Sequence, residues 1–200
     1  MAVTERGDVV EVRGKRVILR DPTVEDIEAE LRWTTVETAW QEWDAPWEGR
    51  ALTSPERVEA VRQAKLEKLA QPLPSPRERL SVERIGGPLL GWVCHYRYDP
   101  GQRTTWVGIN LCESSLWGQG LGTEVLCLWI GYLFNELDLH RIGTETWSGN
   151  ERMIRCALKC GFVEEGRFRE TVEYQGRRWD SVKLGLLRRE WEGLRAAEAA

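Results

Sequence analysis

Leu116-Trp117-Gly118-Gln119-Gly120-Leu121-Gly122-Thr123 decides the fold. It is a glycine-rich turn that runs directly into an apolar helical segment, and a short strand-like run from Trp106 to Leu111 precedes it. That order leaves backbone N–H groups bare at a helix N-terminus, where the helix dipole also favours anions. Glycines at such a turn let the main chain approach a phosphate and take up positive φ without steric cost. The following helix carries Leu121, Val125, Leu128, Trp129, Tyr132 and Leu133 at three- and four-residue steps, widened by Leu126 and Ile130. The stripe predicts a nearly buried helix lying on a sheet, and burial fixes the N-terminus that an anion site needs. A glycine turn before a helix is by itself also an ordinary tight turn, so the phosphate reading rests on what comes next.

A second punctuated unit comes next. Leu139-His140-Arg141-Ile142 opens a strand reaching Trp147, Ser148-Gly149-Asn150 makes a polar turn, and a helix runs from about Glu151 to Cys160. Gly161 is placed for a left-handed C-cap. The order is strand, glycine turn, helix, strand, Asn turn, helix, Gly-Phe, strand. From about Thr104 to Leu187 the chain resembles the GNAT superfamily of acyl-CoA-dependent N-acetyltransferases, and its ribosomal-protein (RimJ/RimL-like) branch in particular. The match is carried by Trp117 to Glu124, by Phe134 and the Leu137-Asp138-Leu139-His140-Arg141-Ile142 run, and by Asn150. Gly161 to Gly166 and the hairpin Tyr174-Gln175-Gly176 to Trp179-Asp180 extend it, and Lys15 to Asp21 is similar to that branch's first strand.

Bulk properties narrow the field. Two hundred residues suit one domain with its own core. We read residues 9–76 as a first strand with acceptor-side helices, 77–187 as the sheet core and acyl-CoA site, and 188–200 as a terminal helix or tail. No apolar run reaches membrane-spanning length and Met1 to Arg6 shows no signal-peptide pattern, so a cytoplasmic protein is expected. Cys94, Cys112, Cys127, Cys156 and Cys160 are odd in number and lie in apolar patterns, which reads as reduced buried thiols. None pairs with a histidine at zinc-like spacing, so no metal is expected. A net charge of −4 argues against broad nucleic-acid binding and suits a cationic acceptor. Arg152, Arg155 and Lys159 on the helix after Asn150 either face the cofactor phosphates or form a solvated face. Four of the eleven tryptophans (Trp33, Trp40, Trp43, Trp47) crowd into fifteen residues. They form either a core or dimer stripe or an aromatic wall of the acceptor pocket, and a homodimer is compatible with either.

The N-terminal half reads as two short strands (Val9–Val12, Arg16–Leu19) and a helical region starting at Thr23, with Asp26 completing a near capping box, that runs to about Trp43. A helix capped by Ser54 with Pro55 at its first position continues to about Ala70. Beyond the Pro72 to Pro76 connector the chain turns β-rich, with hairpin signals at Gly86-Gly87-Pro88 and Pro100-Gly101.

The resemblance implies an α/β (α+β) GNAT fold, a mixed and largely antiparallel sheet of about seven strands with helices on both faces. It implies direct attack of a primary amine on acetyl-CoA in a ternary complex, the amine belonging to a protein N-terminus or a small compound. Backbone N–H groups of Gly118, Gln119, Gly120, Leu121, Gly122 and Thr123 would hold the pyrophosphate. Trp117 stands where the wider family usually carries Arg or Gln. Leu111 or Cys112 would donate a main-chain N–H to the thioester oxygen. Asn150 would fasten the pantetheine, with Arg155 near the phosphates, although Gly149-Asn150 is equally a turn and N-cap pair. A lysine-type amine has pKa ~10.4 and an α-amine ~8, so the acceptor must lose a proton. Glu173 is the first candidate base and Glu113 the second, each against the alternative of a surface carboxylate. The branch's usual acids are replaced by Ala157 and Met153. Cys112 as an acyl acceptor stands against a buried strand thiol. Two other readings stay open: a non-catalytic acyl-CoA sensor, and a transferase of another acyl group such as succinyl.

Overall fold

The computed structural model describes residues 9–199, so the leader reading at Met1 to Arg6 lies outside the described residues. The strands are β1 (Glu11–Arg13), β2 (Val17–Arg20), β3 (Arg79–Arg84), β4 (Leu89–Asp99), β5 (Thr104–Leu111), β6 (Arg141–Trp147), β7 (Val163–Tyr174) and β8 (Arg177–Leu187). They form one eight-stranded sheet in the order β1-β2-β3-β4-β5-β6-β8-β7, one strand more than expected. Only β5 and β6 pair parallel; the other neighbours are antiparallel.

Helix α3 (Leu121–Glu136) buries the stripe read from the sequence, with Val125, Leu126, Trp129, Ile130 and Leu133 fully inaccessible. It packs on the sheet with α4 (Glu151–Lys159) beside it, over inward residues such as Val17, Leu80, Val93, Val107 and Leu184. The opposite face carries α1 (Asp26–Thr35), against which α2 (Pro55–Leu69) rests, and a second cluster built on Trp33, Trp40 and Cys112. A terminal helix, α5 (Arg188–Ala199), follows β8. Helices on both faces follow from period-two alternation: Val93, Val107 and Ile109 point to α3, while Trp92 and Cys112 point to α1.

Several local readings hold for the stated reasons. Ser54 accepts from the Arg57 amide at 3.2 Å with Pro55 behind it, and Gly161 ends α4 at φ +91°. The Thr23 amide donates to Asp26 at 3.0 Å, but helical residues start only at Asp26. The region to Trp43 is not one helix. Thr34 and Thr35 turn their hydroxyls back onto the carbonyls of Glu30 and Leu31, α1 stops at Thr35, and a short 3-10 helix spans Thr38–Glu42. Among the described residues no helix is long and apolar enough to cross a membrane.

The sheet is split where the site lies. β5 and β6 pair only from Thr104 to Trp106 against Arg141 to Gly143, and beyond that they diverge. The Thr144 hydroxyl donates to the Val107 carbonyl at 2.9 Å, bridging the apex of the wedge. On the other side of β5, Gly91 faces Leu111 at φ +153°, and a Cβ there would collide with the Asn110 carbonyl. That close approach is open only to glycine.

Candidate active site

A cavity of about 730 Å³ fills the wedge between β5 and β6 and runs to the N-terminus of α3. The sequence-derived residues Leu111, Trp117, Gly118, Gly120, Leu121, Gly122, Thr123, Asn150 and Arg155 all line it. Cys112, Gln119, Glu113 and Glu173 lie outside its lining.

The glycine turn is held from behind. Gly118 and Gly120 take left-handed φ of +78° and +75°, and α3 starts without a side-chain cap. Arg16, in the turn between β1 and β2, donates to the carbonyls of Gln119 (2.8 Å) and Gly120 (3.2 Å) and to Glu124 (2.8 Å). With those carbonyls tied behind the turn, its N–H groups are left for a ligand. Partial burial pushes the Glu124 carboxyl up, but hydrogen bonds from the Arg16 amide and guanidinium and from the Lys15 amide outweigh this and hold it below the usual carboxylate range. A Cβ at Gly118 would meet open space, so the cradle is roomy enough for an anion to approach the backbone.

The strand alternation separates the two main-chain donors proposed from the sequence. The Val107 carbonyl faces Thr144 across the wedge, and the Leu111 carbonyl accepts the Trp117 indole N–H at 2.7 Å on that same side. Within an extended strand the N–H of a residue points with its C=O, so the Ile109 and Leu111 amides also face the wedge. The Cys112 amide instead turns to β4 and donates to the Leu90 carbonyl at 2.7 Å. Of the two, Leu111 is the one whose amide faces the wedge. The Cys112 side chain is buried against Trp33 and Trp40, and burial pushes its thiol well above the ordinary range, as for a structural strand thiol.

Asn150 makes two structural hydrogen bonds from the cavity wall. Its Oδ1 caps α4 by accepting from the Met153 amide (3.1 Å), and its Nδ2 donates to the Trp43 carbonyl (2.7 Å). The same carbonyl accepts the Trp147 indole at 3.0 Å. Arg152 lies between the rings of Trp43 and Trp117, its guanidinium carbon 4.4 and 4.7 Å from their centroids. The loop around Trp43 is thus strapped across β6 and the start of α4. Of the tryptophan cluster, Trp33 and Trp40 are core, and Trp40 and Trp43 also line the cavity, together with Trp92 from β4. Arg155 pairs with Glu151 on an exposed stretch of α4 while still reaching the cavity rim with Lys159.

The carboxylates first named as bases face elsewhere. Tyr174 packs edge-on against Trp147 and lines a small pocket of about 180 Å³ beside the strap, so strand alternation turns Glu173 to the other face. There it is exposed and pairs with Arg178 at 2.7 Å. Glu113 accepts from Ser115 (2.9 Å) and pairs with Arg32 (3.5 Å) outside the cavity. The carboxylates that do line the cavity are Asp44 and Glu145, neither of them legible as site residues in the sequence. Glu145 pairs with Arg97 (3.3 Å) and Lys183 (3.5 Å). Burial, reinforced by Glu145, pushes the Tyr96 phenol up to about 12, so the wall carries a neutral hydroxyl at physiological pH. Ala157, where the family's tyrosine is usual, is fully buried in the core. Among the described residues no cluster of His, Cys, Asp or Glu is arranged to hold a metal ion.

The uncapped glycine turn that carries the sequence resemblance thus sits at the mouth of a sheet split between its parallel strands. A family model described as "Acetyltransferase (GNAT) domain" matches residues 16–163. The chain belongs to the GNAT acetyltransferases. Over 107 residues, 54% of this chain and 58% of the other, it is 33% identical to the Bacillus subtilis protein named "Putative ribosomal N-acetyltransferase YdaF". Over 70 residues, 34% of this chain and 33% of the other, it is 39% identical to an aminoglycoside N(6')-acetyltransferase type 1 of Klebsiella pneumoniae. The chain thus spans about half the length of the first of these relatives and a third of the second. A spermidine N-acetyltransferase from Vibrio cholerae, solved with CoA and spermine, shares the GNAT fold at a TM-score of 0.69 and 20% identity, over 90% of this chain and 99% of that one.

Proposed function

We propose that this GNAT chain transfers an acetyl group from acetyl-CoA to a primary amine, on a protein N-terminus or a small compound. The observation that carries the proposal is the wedge itself: one cavity joins the α3 turn, whose N–H groups are free for an anion, to the Leu111 amide. Acetyl-CoA supplies the acyl thioester. The turn from Gly118 to Thr123 holds the pyrophosphate, and Arg155 and Lys159 add positive charge at the rim. The open main-chain edge of β5 offers N–H and C=O groups for the pantetheine amides to pair with, in place of the missing β6 ladder. The Leu111 N–H is preorganised for the oxygen that gains charge as the amine adds, where one such donor contributes on the order of 10²–10³ in rate. The relatives named for ribosomal, aminoglycoside and spermidine acetylation support an amine acceptor. A cytoplasmic location suits the five free thiols.

The test is thiol release from acetyl-CoA against a panel of a basic N-terminal peptide, an aminoglycoside and a polyamine. Release with one of them supports the proposal. Acetyl-CoA binding without release from any amine or any acyl-CoA points to a sensor, and a preference for succinyl-CoA removes the acetyl assignment.

A further inference from the structure

Asp44 stands at the junction of the two cavities. It lines the 730 Å³ wedge and also the 180 Å³ pocket formed by the strap and Tyr174. Its carboxylate is fixed from two sides: Asn110 Nδ2 donates to Oδ2 at 2.8 Å, and the Arg50 guanidinium pairs with the same oxygen. Both donors converge on Oδ2, so Oδ1 accepts no hydrogen bond among the described residues. Asn110 precedes Leu111 on β5. The strand therefore presents the Leu111 amide to the thioester while its neighbouring side chain holds Asp44 on the acceptor face. The wedge that Asp44 lines is also lined by the rings of Trp40, Trp43, Trp92 and Tyr96.

We infer that Asp44 is the residue that selects and positions the acceptor amine, through Oδ1, and that Arg50 moderates its strength. The inference rests on the acetyltransferase reading above and goes beyond it by naming the acceptor-binding group. A carboxylate oxygen without a donor, walled by aromatic rings, suits a primary ammonium and rejects an anion. An amine keeps N–H donors after losing its proton, so the contact persists into the reactive form and aims the nitrogen. Arg50 sits against the same carboxylate and is itself paired with Glu48, so its charge offsets part of the field an acceptor meets. Removing Arg50 and removing the Asp44 charge must therefore move acceptor affinity in opposite directions. A merely structural role for the pair gives the same direction for both.

The experiment measures steady-state thiol release with the best amine of the panel for the wild type, Asp44→Asn, Asp44→Glu and Arg50→Ala, with acetyl-CoA affinity measured by titration on each. A lost charge-assisted hydrogen bond corresponds to a rise in acceptor KM of about tenfold or more. We expect that rise for Asp44→Asn, partial recovery for Asp44→Glu, a lowered KM for Arg50→Ala, and unchanged acetyl-CoA affinity throughout. An unchanged KM in Asp44→Asn with acetyl-CoA binding intact overturns the inference and leaves the acetyltransferase reading standing. If Asp44→Asn fails to bind acetyl-CoA through misfolding, Arg50→Ala decides, and a KM that rises or stays level overturns the inference. A wild type that binds acetyl-CoA but releases no thiol with any amine removes both.

Discussion

Replacing Arg16 by Met tests whether the anion cradle is built by the strand-turn residue behind it. The change keeps the aliphatic stem and removes three guanidinium contacts: Glu124 at 2.8 Å, the Gln119 carbonyl at 2.8 Å and the Gly120 carbonyl at 3.2 Å. Fully dry charged hydrogen bonds are worth about 1.5–3 kcal/mol each. The Arg16 side chain is 49% exposed and Glu124 15%, so solvent screening brings the sum down to about 1–2 kcal/mol. For a chain of this size the loss appears as a fall in Tm of about 3–6 °C. Acetyl-CoA affinity should fall about fivefold or more by titration calorimetry, because the turn must then be ordered by the ligand. Glu124 supplies a pH signature. Its folded-state pKa is depressed, so its stabilising contribution is complete above the ordinary carboxylate pKa and is lost as pH falls through the lowered value. The gap between wild type and variant should be widest at pH 7 and narrow as pH falls through the lowered Glu124 pKa, leaving the part due to the two carbonyl contacts, in chemical denaturation. A Tm that falls as expected with acetyl-CoA affinity unchanged would refute the claim that Arg16 shapes the cradle.

Three further outcomes follow from particular contacts. Gly91→Ala drives a Cβ into the Asn110 carbonyl at a φ that L-residues avoid, and should cost about 3 kcal/mol or more in urea denaturation; a loss below 1 kcal/mol would show that β5 adapts. Glu173→Gln, on the exposed face of β7, should leave kcat and its pH profile unchanged, whereas a large fall in kcat would return Glu173 to the acceptor site. Cys112, buried and with its thiol pushed up, should resist iodoacetamide at pH 8 in the native protein and react in denaturant; fast native labelling read by mass spectrometry would contradict its burial.

The parts of this chain that were legible in its sequence are those fixed by local patterns. The apolar stripe of α3, the Ser54-Pro55 start and the Gly161 stop each follow from a few adjacent residues, and the structure uses them as expected. The order of strand, glycine turn and helix also located the turn that lines one end of the cavity. The helix expected to reach Trp43 stopped at Thr35 because threonine hydroxyls competed for its carbonyls and Trp40 folded back to bond the Trp33 carbonyl. What escaped sequence reading depends on distant partners. Asp44 gains its meaning from Asn110 on β5, and Arg152, read only as facing phosphates or solvent, lies between Trp43 and Trp117 on two other segments. A shift of one residue on β7 decides whether Tyr174 or Glu173 meets Trp147 and the small pocket, and no local pattern near residue 173 sets that register.

The central claim is that the turn from Gly118 to Thr123 binds the pyrophosphate of acetyl-CoA. Isothermal titration of acetyl-CoA into the wild type and a Gly120→Glu variant tests it most directly. Gly120 lines the cavity at φ +75°, a conformation a side chain strains, so the variant both distorts the cradle and adds a negative charge beside it. The account predicts micromolar binding by the wild type and its loss in a variant whose circular dichroism shows it folded. Equal binding by both proteins, or none by the wild type, would contradict it.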